Sequence, residues 1–133
     1  MRRGSQVTVK IDNIEFPSMG VGELEGKKIY VKGAFPGQVI KGTIKKNREN
    51  YSEAKLVEVL ERAEYEISAP CPHFGVCGGC SSQNLTYDKQ LDLLSHEICE
   101  LFDSKDLPMG MYLGVKGSEN HWEYRNKMEF TFG

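Results

Sequence analysis

Three of the chain's four cysteines fall inside one short stretch, Cys71-Pro-His-Phe-Gly-Val-Cys77-Gly-Gly-Cys80, at the spacing C-x5-C-x2-C. Thiolates are soft ligands, and a short loop can aim several of them at one zinc ion or iron–sulfur cluster. Gly75, Gly78 and Gly79 free the backbone where the loop must wrap. Successive N–H groups in such turns form concave nests that suit anionic clusters. Pro70 and Pro72 stiffen the entry, so less entropy is lost on ordering the loop. Disulfides account for it poorly, because three close cysteines leave one unpaired and Met1-Arg2-Arg3-Gly-Ser-Gln does not read as a secretory leader. A structural zinc site is the serious rival. It needs a fourth ligand, which His73 within the loop could supply, and spacing does not separate zinc from iron–sulfur.

The elements that must position this loop lie on either side of it. Gln6 to Ile14 alternates, with Val7, Val9 and Ile11 on one face and Thr8, Lys10 and Asp12 on the other, which is a half-buried strand. Met19-Gly-Val-Gly-Glu reads as a glycine-marked bend or bulge, and Glu25-Gly26-Lys27 as a turn. Lys28 to Lys32 and Val39 to Lys46 are further strands, separated by a turn at Ala34-Phe-Pro-Gly37, and Asn47 to Asn50 is a polar hairpin loop. Tyr51 to Arg62 fits a helical face through Leu56, Val57, Leu60 and Ala63, and a strand through Val57 and Val59. The strands before it favour a closing strand, giving a small five-stranded barrel of the OB type over residues 1–62.

Residues 63–106 then hold a charged linker, the cysteine loop and one helix. Thr86 N-caps the helix, Asp88 sits in its first turn, and Leu107-Pro108 follows its end near Asp103. Tyr87, Leu91, Leu94, Ile98, Leu101 and Phe102 make one apolar stripe along it. Cys99 lies beside that stripe, roughly 20 Å up the helix from Thr86 at 1.5 Å per residue. The connection back to the loop spans only about 17 Å, so Cys99 reads as a small packing residue rather than a fourth ligand. Over 107–133, Met111 to Val115 and Tyr124 to Phe132 read as two strands, with Met128, Phe130 and Phe132 alternating with Glu129 and Thr131. The chain stops at Gly133 straight after the second, so these are expected to be the first strands of a truncated α+β domain. The fold class expected is thus mainly β with α: barrel, cysteine loop, helix and opening strands.

A net charge of −2 hides an asymmetry. Lys27, Lys28, Lys32, Lys41, Lys45, Lys46, Arg48 and Lys55 face only Glu49 and Glu53 across 27–55, whereas residues 56–106 are strongly acidic. A basic block on an acidic chain is a footprint for phosphate, or else the solvated face of a small domain. OB-type barrels bind nucleic acid through basic grooves and exposed aromatics, and Tyr30, Phe35 and Tyr51 lie among these lysines. No apolar run approaches the roughly 20 residues that cross a membrane.

Three stretches resemble the S-adenosylmethionine-dependent RNA uracil-C5 methyltransferases. Gly20-Val-Gly22 with Ile29-Tyr-Val-Lys-Gly-Ala-Phe-Pro-Gly37 looks like a TRAM domain. Cys71 to Cys80 followed by Gln83-Asn-Leu-Thr-Tyr87 and Gln90-Leu91 looks like the family's [4Fe–4S] segment. Trp122-Glu-Tyr-Arg-Asn-Lys-Met-Glu-Phe130 looks like the opening of its central domain. The resemblance implies a closing strand at 51–62, and iron–sulfur rather than zinc. Cys71, Cys77 and Cys80 would be three of the four cluster ligands, with the fourth outside this chain. The cluster would be structural, since uracil methylation needs no electron. In the family, a cysteine adds to C6 of a uracil lifted out of the RNA fold and the methyl group goes to C5. That cysteine and the S-adenosylmethionine-binding domain belong to a part this chain lacks. The expectation is an RNA-gripping portion that methylates nothing alone, monomeric and cytoplasmic, acting on ribosomal rather than transfer RNA. Lys32, Lys45, Lys46, Arg125 and Lys127 are the expected phosphate contacts. A stand-alone RNA-binding module holding zinc or a cluster, or a redox sensor, are the alternatives.

Overall fold

A computed structural model describes residues 1–133. Five strands, β1 (Gln6–Glu15), β2 (Met19–Leu24), β3 (Lys27–Lys32), β4 (Val39–Asn47) and β5 (Tyr51–Glu61), close into a barrel in the order β1-β2-β3-β5-β4. All neighbours are antiparallel except β3 and β5, which run parallel. The alternation in each strand puts Val9, Ile11, Ile29, Val31, Ile40, Ile44 and Ala54 in one interior, with Ala34 from the β3–β4 connection. The ambiguous segment 51–61 is a strand because it is paired on both sides. Its first inward residues, Ser52 and Ala54, are small enough to face Ile29, Val31 and Ile44. Glu25 and Gly26 both have positive φ, 54° and 73°, as a two-residue hairpin between β2 and β3 demands.

Residues 19–24 correct one expectation. They form a regular strand, and the bulge lies opposite them, in β1. Ile11 pairs with Gly22, Asn13 with Val21 and Ile14 with Gly20, so Asp12 is the extra residue. One extra residue inverts the alternation, which is how Ile11 and Ile14 both turn inward. Gly20 and Gly22 are needed because the chain passes close to their inner side. A β-carbon on Gly22 would overlap the Lys10 carbonyl oxygen and Val9, and one on Gly20 would meet the Ala34 carbonyl at 2.5 Å. Gly22→Ala is expected to cost about 2 kcal/mol through overpacking, read as an earlier urea midpoint with unchanged slope; an unaltered midpoint would mean that the approach relaxes freely.

The helix α1 (Tyr87–Asp103) forms where expected, with Thr86 Oγ1 accepting the Lys89 N–H. Its buried face differs. Leu93 and Glu97 are buried, whereas Leu94 is 46% exposed and Phe102 38%. The barrel end offers only a small apolar pit, Ile14 and Phe35, which Leu93 and Leu85 fill. Beside it stand the polar groups of Asn13 and Ser18. The helix therefore presents a mixed row: Asn13 Nδ2 donates to Glu100 at 3.1 and 3.2 Å, His96 Nε2 donates to Asn13 Oδ1 at 2.8 Å, and Ser18 Oγ donates to Glu97. Tyr87 and Leu91 from the expected stripe lie instead against Gly117.

Burial raises the pKa of Glu97, only partly offset by hydrogen bonds from Ser18 and by His96. A carboxyl whose folded pKa lies above its ordinary 4.5 contributes stability that is complete below that value and lost as pH rises through the folded pKa. Glu97→Gln should therefore raise Tm by a few degrees at pH 7, with the gain shrinking as pH falls toward 4.5. A pH-independent gain would contradict this assignment.

Residues 107–133 contain no helix or strand. The strands expected at 111–115 and 124–132 are not formed, although their alternation leaves Met128, Phe130 and Phe132 exposed. A strand needs a neighbour for its backbone groups, and a closed barrel has no free edge to give.

Candidate metal centre and nucleic-acid interface

The cysteine loop grows from a stem fastened to the barrel. Glu66 and Leu85 form an antiparallel bridge, and the Ile67 N–H donates to the Asn84 carbonyl at 2.7 Å. Gln38, wholly buried, donates to Glu66, and Tyr65 donates its hydroxyl to the Pro36 carbonyl. Burial, with the neighbouring Glu66 charge, pushes the Tyr65 pKa up to about 12, so the hydroxyl stays a donor. Lys89 lies 4.5 Å over the Tyr65 ring. Barrel, linker and helix thus share one core at Ile14, Phe35, Leu85 and Leu93.

Within the loop all three thiols are free. Cys71 is half-buried, and Cys77 and Cys80 are exposed. Tight turns run through it: Phe74 N–H to the Cys71 carbonyl, and Val76 and Cys77 N–H to the His73 carbonyl, with Gly75 at φ 92°. The Gly79 N–H donates to Cys77 Sγ at 3.4 Å, the kind of N–H···S bond that lowers the cost of a thiolate. The donor set is therefore right for a thiolate-bound zinc or iron–sulfur group. No three Cys, His, Asp or Glu side chains converge on one point, so Cys77 and Cys80 must draw in toward Cys71 to hold one. Cys99 sits on α1, half-buried, as a packing residue would.

The basic block is thinner in space than in sequence. Lys28 pairs with Glu15 at 2.8 Å, and Lys46 with Glu53 at 3.1 Å. Burial alone would push the Glu15 carboxyl up, but hydrogen bonds from Lys28 and Tyr30 outweigh it and hold its pKa below the usual value. Lys28 and Lys46 are thus partly neutralised. Lys32, Lys45 and Lys55 are exposed and make no ion pair within the protein. Parallel pairing sets Lys32 directly beside Lys55, and Tyr51 beside Lys28. Tyr30 and Tyr51 meet edge to face at 5.7 Å on the same strands. Lys55 was not among the expected contacts, because its neighbourhood with Lys32 depends on the β3–β5 pairing. Phe35 is withdrawn as a stacking surface, since it is only 4% exposed and belongs to the core.

Arg125 and Lys127 lie in the irregular C-terminal segment. Lys127 pairs with Glu129 at 2.9 Å. Arg125 lines a cleft of about 750 Å³ with Cys80, Gln83, Tyr87, His121 and Trp122. There Tyr87 and His121 rings stack at 3.6 Å, and Tyr87 Oη accepts the Ser118 N–H at 2.7 Å. The structure thus brings Arg125 to the cysteine loop and groups Lys32 with Lys55 on the barrel wall.

Residues 1–57, nearly the whole barrel, match the TRAM domain family. The whole chain is 47% identical over 133 residues to a Clostridium tetani protein named as an uncharacterized RNA methyltransferase, covering 29% of that protein. A similarly named protein of Caldanaerobacter subterraneus subsp. tengcongensis is 42% identical over the same 133 residues, 30% of its length. A 23S rRNA (uracil(1939)-C(5))-methyltransferase of Alkalilimnicola ehrlichii is 36% identical over 121 residues, 90% of this chain and 27% of that one. The chain therefore spans about three tenths of the length of the curated relatives it matches. No helix is long and apolar enough to cross a membrane.

Proposed function

We propose that this chain is the RNA-gripping and cluster-holding portion of an S-adenosylmethionine-dependent RNA uracil-C5 methyltransferase, acting on ribosomal rather than transfer RNA as a cytoplasmic monomer. One observation carries the proposal. A TRAM barrel and a three-cysteine loop are fused through a common core, and RNA methyltransferases match that unit across all of its 133 residues. Lys32, Lys45 and Lys55 hold phosphates on the barrel wall, and Tyr51 offers a half-open ring to a base. Lys46 and Lys127 contribute only by releasing their carboxylate partners, and Arg125 extends the contact toward the cysteine loop. Cys71, Cys77 and Cys80 hold a [4Fe–4S] cluster whose fourth ligand lies outside this chain. The cluster staples loop to stem and leaves the methyl-transfer chemistry to other residues. A small core joined to a glycine-rich loop without strand or helix of its own is the situation in which a metal staple stabilises most.

The native product tests this. An antibody raised against residues 71–87 should detect a protein several times larger than 15.0 kDa, and that protein, immunopurified, should transfer radiolabelled methyl groups to ribosomal RNA. A native band at 15.0 kDa with no methyl transfer would instead favour a stand-alone RNA-binding module.

A further inference from the structure

The cysteine loop leaves and rejoins the barrel-bound stem at the Glu66–Leu85 bridge. Between those points one side chain ties the two arms of the loop together. Gln83 Oε1 accepts the Cys71 N–H at 2.7 Å, across twelve residues of sequence. Gln83 is only 8% exposed, an unusual place for an amide unless its hydrogen bond is wanted. Its neighbour in the stem, Leu85, is 1% exposed and packed with Leu93, so the glutamine is anchored to the rigid part of the molecule. Other bonds inside the loop are local and lie beyond Cys71: Phe74 N–H to Cys71, Cys77 N–H to His73, Gly79 N–H to Cys77 Sγ. Cys71 is thus the joint between stem and arm. Its N–H is fixed by Gln83, its carbonyl starts the first turn, and its thiol is half-buried while the other two are exposed.

We propose that Gln83 is a positioning residue for the thiolate-bound group. It fixes Cys71 in advance as the first ligand, and the glycine-rich arm then folds Cys77 and Cys80 onto it. Fixing one ligand beforehand lowers the ordering cost of binding, and partners of ligand residues commonly weigh on metal retention for this reason. The metal half of this inference rests on the proposed cluster; the hold on Cys71 does not.

The test compares the full chain with Gln83→Leu, which keeps the bulk and removes the acceptor, and Gln83→Glu, which keeps an acceptor oxygen. Each is reconstituted anaerobically with ferrous iron and sulfide, and in parallel with Zn²⁺ alone, then challenged with a chelator. Separately, the metal-free reduced chains are treated with iodoacetamide, and Cys71 alkylation is followed against Cys99. Gln83→Leu should hold metal about tenfold to a hundredfold less tightly and alkylate Cys71 several-fold faster, with Cys99 unchanged. Gln83→Glu, whose buried carboxylate carries its own cost, should still stay clearly closer to the parent than Gln83→Leu in both assays. A leucine variant equal to the parent in both assays, or a glutamate variant failing as badly as leucine, overturns the proposal. A parent chain that takes up neither iron nor zinc shows that its three thiolates do not retain the group without the fourth ligand, and removes the metal half; equal Cys71 alkylation rates would then remove the rest.

Discussion

Replacing Cys80 with serine should strip nearly all iron and acid-labile sulfide from the reconstituted protein, together with its broad absorbance near about 400 nm. A serine hydroxyl is not ionised at neutral pH and is a hard donor, so it cannot stand in for a thiolate on a soft centre. The loss should be close to complete because the chain supplies only three clustered thiols, and two ligands do not hold a cluster against chelator. Cys99→Ser is the internal control. Cys99 sits on α1, away from the loop sequence, half-buried and free, and its replacement should leave iron and sulfide at the parent level. Equal loss in both variants would overturn the ligand assignment. Zinc at one per chain without sulfide would replace the cluster by a structural zinc site, with His73 the first candidate for its fourth ligand.

The double substitution Lys32→Gln, Lys55→Gln should weaken binding to single-stranded RNA roughly 25-fold at 0.1 M salt. Each phosphate contact on a single strand contributes about 0.7 to the slope of log affinity against log salt, so two contacts account for about 1.4 logarithmic units between 1 M and 0.1 M. The slope should flatten by about 1.4 units and each single variant by about half of that. The two lysines are chosen because β3 and β5 set them side by side and neither is neutralised within the protein. Lys28→Gln should do less, since its ammonium is already held by Glu15. An unchanged slope in the double variant would move the RNA to another face.

The barrel was largely legible from the sequence, because period-two alternation and glycine-marked turns are local signals. The bulge at Asp12 was not, since an extra residue is visible only against its partner strand. The nature of 51–61 depended on the neighbours that pair with it rather than on its own pattern. The apolar stripe of α1 misled because a helix buries the face its dock can accept; the dock at Ile14 and Phe35 is small and polar-edged. The strands expected in 107–133 had the right alternation and no edge to join. The spacing of Cys71, Cys77 and Cys80 marked them as candidate metal ligands without any knowledge of the fold. Gln83 lay in plain view within Gln83-Asn-Leu-Thr-Tyr87, but its bond to the Cys71 backbone needed the fold of the loop. Lys55 emerged for the same reason, and Lys46 lost weight once Glu53 stood across from it.

The most direct measurement is a fluorescence anisotropy titration of the chain against a single-stranded ribosomal RNA fragment, repeated from 50 to 300 mM salt. RNA recognition through the barrel predicts saturable binding whose log affinity falls linearly with log salt, with a slope worth at least two phosphate contacts. The absence of saturable binding at 50 mM salt, or binding with no salt dependence, would contradict it.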